Sequence, residues 1–178
     1  MSLVTFRFSE VKEKAQQEEW QRHFNKWGLQ TQTPITFDEA VLKQILSPVD
    51  HAQEEKSAKL TVEWGDKLGA ILVYRGLSTS QIRAIFGEVR QIEAKLKISQ
   101  LQGAAVETKV WNKLRLLIPK MAYRAKKEGE GVKSLASVFE PAINLVIDGE
   151  PQKRRERFER FVNFFESILA YHRAYGGK

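Results

Sequence analysis

The sequence predicts an all-α protein, a single-domain helical bundle with a short extended arm or strand at its N-terminus. Three observations carry this. Apolar residues recur at the 3.6-residue helical period through most of the chain. Capping residues and glycines punctuate those runs at helix-like lengths. No repeat, low-complexity tract or linker divides the 178 residues, a length suited to one core.

Val4, Phe6 and Phe8 alternate with Thr5 and Arg7, a period of two that suits either a strand or an arm docking on a neighbouring subunit. Ser9 is placed to cap a helix running to Trp27, with Gly28 as its stop and Trp20, Phe24 and Trp27 on its apolar face. Beyond Pro34, Thr36-Phe37-Asp38-Glu39 reads as a capping box, opening a short helix with Phe37, Val41, Leu42, Ile45 and Leu46 on one side. Pro48 and Asp50 start the next element. Its Leu60, Trp64, Leu68, Ile71 and Leu72 keep helical spacing up to Tyr74, and Gly76 ends it. Gly65 and Gly69 either weaken this helix or mark a face where another backbone comes close. Ala70 to Tyr74 also fits a short strand.

Ser78 and Gln81 form a second capping box, and Ile82, Ile85, Phe86, Val89, Ile92 and Leu96 make the clearest apolar stripe of the chain. From about Ala104 the pattern continues through Val106, Val110, Leu114, Leu117 and Met121. Pro119 either kinks that helix or begins a new one, because it lacks a backbone donor and crowds the preceding turn. Val132 to Asp148 is apolar and helical, interrupted by Pro141. The last helix carries Phe158, Phe161, Val162, Phe165, Ile168, Leu169 and His172, widened by Phe164, Tyr171 and Tyr175. A face that wide predicts burial, centrally in the bundle or partly against another chain.

The charge is unevenly spread. From Arg75 to Glu128 twelve Lys and Arg face four Glu, a net +8, while the whole chain carries +7. Such a field makes polyanions the default partners. The chain has no cysteine, which excludes disulfides, thiolate metal sites and cysteine nucleophiles. It shows no basic leader followed by an apolar run and no stretch of ~18 apolar residues, so a cytoplasmic protein without membrane association is expected. His51 with Glu54 or Glu55, and Glu19 with His23, have helical ligand spacing but no third ligand. No glycine-rich phosphate loop or nucleophile elbow is present. Neither catalysis nor a metal or cofactor is expected.

Within the basic segment, Arg83, Arg90 and Lys97 fall seven apart and line one side of their helix at roughly 10 Å per step. If the next helix continues through Pro119 with only a kink, Lys109, Lys113, Lys120, Arg124 and Lys127 border its apolar stripe on one side. Charge rows on an arbitrary helix are more often solvated faces. Here a second row and an almost unopposed field favour phosphate contact. Tyr123, between basic residues and off the stripe, is the aromatic placed to stack on a base. Trp111 and Tyr171 lie on or beside apolar stripes and belong to packing, His172 reads as a core or interface histidine, and Gln81 and Asn112 as capping and surface polarity.

Three blocks in order, Leu77-Ser78-Thr79-Ser80-Gln81-Ile82-Arg83, then Pro119-Lys120-Met121-Ala122-Tyr123, then Phe158 to Tyr171 with His172 and Gly176-Gly177, resemble the small helical subunit of the Csm effector complex of type III CRISPR-Cas systems. The resemblance covers about Trp64 to the end. It implies a non-catalytic helical protein lying beside the backbone subunits, in contact with them, with the large subunit, with copies of itself, and with guide RNA, target RNA or their duplex. The motif arginine it implies is Arg83, and the later basic positions are Lys120 and Arg124. With the charge pattern, the candidate RNA-binding set is Arg83, Arg90, Lys97, Lys113, Lys120, Tyr123, Arg124 and Lys127, acting on phosphates while the guide supplies sequence. Residues 1–60, outside the resemblance, are expected as an N-terminal arm and helices packed on the same domain as the bundle of residues 61–178. Two rival readings are a structural assembly subunit with little RNA contact and an unrelated helical DNA-binding protein; the latter lacks helix-turn-helix spacing.

Overall fold

In the computed structural model, which describes residues 1–48, 50–99 and 103–177, helices dominate as the periodicity requires. In chain order the elements are β1 (Ser2–Phe6), α1 (Lys14–Lys26), β2 (Ile35–Asp38), α2 (Glu39–Leu46), α3 (His51–Tyr74), α4 (Thr79–Ser99), α5 (Ala104–Arg115), α6 (Leu117–Glu128), α7 (Glu130–Asp148) and α8 (Arg154–Ala174). Single 3-10 turns lie at Phe8–Glu10 and Pro151–Lys153.

The period-two segment at the N-terminus is a strand of this chain, and not an arm for a neighbour. β1 pairs antiparallel with β2, setting Val4 opposite Phe37, Thr5 opposite Thr36 and Phe6 opposite Ile35. That pairing also corrects the capping box at Thr36. The ladder takes the backbone of Thr36 and Phe37, the helix start moves on, and the Asp38 carboxylate caps α2 by accepting from the Val41 N–H at 2.9 Å. Ser9 does not cap α1 either. It lies in the 3-10 turn, where the Glu10 carboxylate accepts from the Arg7 N–H at 2.9 Å, and α1 begins at Lys14.

Other boundaries follow the residues. Asp50 accepts from the Gln53 N–H at 2.9 Å and caps α3, which stays helical through Tyr74, so Ala70 to Tyr74 is not a strand. The chain leaves α3 through Gly76 at φ +77°, in the left-handed region a Cβ disfavours, and the Leu77 N–H returns to the Leu72 carbonyl at 2.9 Å. The Ser78–Gln81 box is reciprocal: the Ser78 N–H donates to Gln81 Oε1 at 2.9 Å and the Gln81 N–H to Ser78 Oγ at 3.2 Å. Pro119 begins a new helix. It sits in the first turn of α6, where an N–H has no intrahelical acceptor to lose. Pro141, in contrast, does not interrupt its helix, for α7 runs unbroken from Glu130 to Asp148.

The core is organised on α8, whose Phe158, Phe161, Val162, Phe164, Phe165 and Ile168 are all buried. Phe165 meets Phe139 of α7 and Phe86 of α4 edge-on at 4.7 and 5.2 Å, and Phe158 meets Trp111 of α5 at 5.8 Å. Against α3 it packs even closer. A Cβ on Gly65 would stand 2.0 Å from Ser167 Oγ, and one on Gly69 would stand 2.7 Å from Tyr171 Cβ and 2.8 Å from the His172 nitrogen. The two glycines thus mark the approach of another backbone.

The N-terminal elements share this core. Phe37 packs on Trp64 at 5.0 Å and on Phe164 at 5.7 Å, and Phe6 stacks on Trp20 at 4.1 Å with Tyr74 at its edge. Arg75 ties β1 to the bundle by donating to the Thr5 carbonyl at 2.6 Å and to Ser134 Oγ at 2.9 Å. A polar node does the same for α1. The buried Asp66 accepts from Lys26 at 2.7 Å, from the Trp27 indole at 3.0 Å and from the Tyr175 hydroxyl. Burial alone would raise the Asp66 pKa; these donors outweigh it and hold the carboxyl below the usual range.

Candidate nucleic-acid interface

α4 and the α5–α6 pair run antiparallel, in a register that three contacts define. Near one end Lys95 lies beside Lys113, seven residues along Lys120 Nζ meets the Glu88 carboxylate at 2.7 Å, and at the far end Gln81 Nε2 donates to the Glu128 carbonyl at 3.3 Å. The contacts are seven residues apart on α4 and seven and then eight apart on α5–α6, about two helical turns each time, so they recur along one side of the pair. The buried stripes of α4 and α5–α6 lie beneath this seam and turn the charged residues outward.

The four carboxylates of the basic segment are all engaged. Glu88 takes Lys120, and Glu93 takes both Arg90 at 2.5 Å and Lys97 at 3.0 Å. Arg90 also reaches Glu166 of α8 at 3.2 Å. Glu107 accepts from Arg155 of α8 at 2.8 Å and from the Trp111 indole at 3.1 Å. Glu128 holds Arg124 in a two-pronged pair at 2.8 and 3.0 Å. Arg115 pairs with Asp148 at 2.9 Å. What remains is a smaller set: Arg83, Lys95, Lys109, Lys113, Lys126 and Lys127 are exposed and make no ion pair among the described residues.

The structure therefore separates the candidate residues. Of the α4 row, Arg83 stands open, whereas Arg90 and Lys97 share one glutamate. Arg124 is half-buried on Glu128, and Lys120 is exposed but bridged to α4. Lys113, Tyr123 and Lys127 stand at the surface, with Tyr123 60% exposed. Contact with the Lys95 ammonium lowers the Lys113 pKa, the signature of two like charges held close.

These exposed residues form a stripe. Lys109, Lys113, Leu116, Lys120, Tyr123 and Lys127 alternate at spacings of four and three, the repeat of one helix face, and all six are exposed. The break at Leu116 barely disturbs the stripe, since that residue keeps near-helical dihedrals of φ −69° and ψ −11°. Leu116, 58% exposed, is the member that periodicity alone does not single out, because it looks like one more apolar residue beside Leu114 and Leu117. Lys95 and Lys109 belong to the surface as well. Trp111 is buried and Tyr171 half-buried, as packing residues should be.

Elsewhere the chemistry is self-contained. A groove of about 1010 Å³ is lined by charged residues including Asp50, Asp148, Arg157 and Arg160, and by none of the candidate RNA-binding set. Within it Arg160 pairs with Glu54 at 3.1 Å and Arg157 donates to Ser47 Oγ at 3.1 Å. Among the described residues no three His, Asp or Glu side chains converge as a metal-binding group. The His51 side chain lies outside the described residues; His23 sits 3.7 Å from Glu19 and stacks on Trp27. No described helix is long and apolar enough to cross a membrane.

His172 is wholly buried, its Nε2–H donating to the Leu77 carbonyl at 2.7 Å. Its Nδ1 has no hydrogen-bond partner among the described residues, and burial pushes its pKa below the ordinary imidazole value. Of the two placements the sequence pattern allows, His172 takes the core one.

The family model described as Csm2 Type III-A matches residues 55–178, from the first turns of α3 to the end of the chain. No curated protein and no solved structure gives a significant match.

Proposed function

We propose that this chain, which belongs to the Csm2 Type III-A family of small subunits of the CRISPR Csm effector complex, binds RNA along the α5–α6 stripe. The observation that carries the proposal is the row Lys109, Lys113, Lys120 and Lys127 on one exposed face, three of the four without an acidic partner among the described residues. Lysines at helical spacing neutralise phosphates and release counterions without reading bases. A subunit serving any guide needs that property, since base pairing between guide and target supplies the sequence. Arg83, Arg90 and Lys97 form a second row on α4, on the side away from Gln81, Glu88 and Lys95, where Arg90 reaches Glu166 of α8; Arg90, Lys97 and Arg124 take part wherever phosphate competes with their glutamates.

The chain works without catalysis of its own and without a cofactor. Its partners are guide RNA, target RNA or their duplex, the backbone and large subunits, and further copies of itself. Residues 1–60 act as part of the same domain as residues 61–178, since Phe6, Phe37 and Asp66 bind them to the bundle core.

Tagged purification of the protein from its native cells at moderate salt tests this. Co-purifying backbone subunits together with repeat-derived guide RNA are expected. Backbone subunits assembling equally well around a stripe-neutralised variant, with RNA retention unchanged, would transfer the role to scaffolding alone. Recovery of neither would overturn the proposal.

A further inference from the structure

The stripe is not purely cationic. Only five large hydrophobic side chains are strongly exposed among the described residues, and Leu116 and Tyr123 are two of them. They lie seven residues apart, about two turns, and so share the lysine-bearing face. Tyr123 is flanked by Lys120 and Lys127, and the Lys127 ammonium lies 4.6 Å from its ring centroid. Lys127 is its one ring or hydrogen-bond partner among the described residues.

Phosphate contact alone does not call for this arrangement. A lysine row binds a backbone without any aromatic ring, and a ring held in water between cations exposes apolar area for no internal benefit beyond the Lys127 contact. Paired RNA gives such a ring no face to stack on: in an A-form helix the base faces are buried against each other, and the accessible surface is phosphate, ribose and base edges. An unpaired base is different. It offers an open π-face, and the pairing of aromatic platforms with flanking cations is how proteins hold such bases without choosing among them.

We infer that the α5–α6 face takes RNA carrying an unpaired base, which stacks on Tyr123 while Lys113, Lys120 and Lys127 hold the adjoining phosphates and Leu116 contacts base or ribose. The inference rests on the RNA-binding role proposed above and narrows the kind of RNA the stripe prefers. Stacking on any base keeps the site indifferent to sequence, as the phosphate contacts are.

The experiment measures binding of the purified full chain to a fully paired RNA duplex and to the same duplex with one unpaired 2-aminopurine. Tighter binding of the second RNA is expected, with quenched 2-aminopurine fluorescence. Tyr123→Ala abolishes the quenching and weakens that complex about 5- to 100-fold while leaving the paired duplex unchanged, and Tyr123→Phe behaves as the parent. Unchanged binding of both RNAs in Tyr123→Ala, with weakened binding in Lys113→Glu, would overturn stacking and leave the phosphate role intact. Equal losses in Tyr123→Phe and Tyr123→Ala would assign the hydroxyl and overturn it too. No binding of either RNA by the parent would sink both proposals together.

Discussion

Lys95 of α4 and Lys113 of α5 stand side by side across an antiparallel seam, and neither has an ion pair among the described residues. Two ammonium groups held close repel, and the fold bears that cost. Replacing Lys95 with Gln should therefore leave the melting temperature unchanged or raise it slightly at low ionic strength. Added salt should erase the difference, because screening removes repulsion between exposed charges. A clear fall in melting temperature in the variant would contradict the seam.

The neighbouring cations divide by their partners. Arg124, half-buried on Glu128, braces the end of α6 whose last carbonyl receives Gln81; Lys127 braces nothing but the Tyr123 ring. Arg124→Gln should cost up to about 1 kcal/mol of stability by denaturant unfolding, as partly exposed ion pairs do. Lys127→Gln should cost almost none and should weaken RNA binding more than Arg124→Gln does.

At Gly69 α3 lies against the backbone of α8, where a Cβ would meet atoms that cannot rotate away, 2.8 Å from the His172 nitrogen. Gly69→Ala should destabilise by about 1–3 kcal/mol, the usual cost of overpacking. For a chain of this length that lowers the melting temperature by roughly 3–10 °C in a thermal scan. Gly65→Ala should cost a similar amount, since a Cβ there meets Ser167 Cβ at 2.7 Å even after the Ser167 hydroxyl turns aside.

His172 makes stability depend on pH. Its folded pKa lies below the ordinary value of 6.5, because burial disfavours the imidazolium. Above that value neither state holds the proton and stability is full. As pH falls below it the unfolded chain binds a proton that the fold resists, and stability is lost down through the lowered folded pKa. His23, lowered first by burial, adds to the loss in the same window. Unfolding midpoints at pH 7.5 and 5.5 should therefore differ, and less so in His172→Gln than in the parent.

Much of this was legible in local residues. Asp50, Gly76 and the Ser78–Gln81 box mark their boundaries because each cap is closed within a few residues. Thr36 misleads because its partner strand lies some thirty residues back, and strand pairing overrides a local cap. At the candidate site, the net charge count passes over the Arg90–Glu93–Lys97 pairing, although its three- and four-residue spacings are those of helix neighbours. The clasp of Arg90 by Glu166 and the outward turn of Leu116 were not legible, since both depend on which side of the bundle each helix faces.

The measurement that bears most directly on the RNA-binding stripe is the salt dependence of RNA affinity for the full chain and for a Lys113→Gln, Lys120→Gln, Lys127→Gln variant. If the stripe holds phosphates, the plot of log affinity against log salt should flatten by about two to three in slope in the variant, with affinity falling alike for unrelated RNA sequences. An unchanged slope, or a loss confined to one sequence, would contradict it.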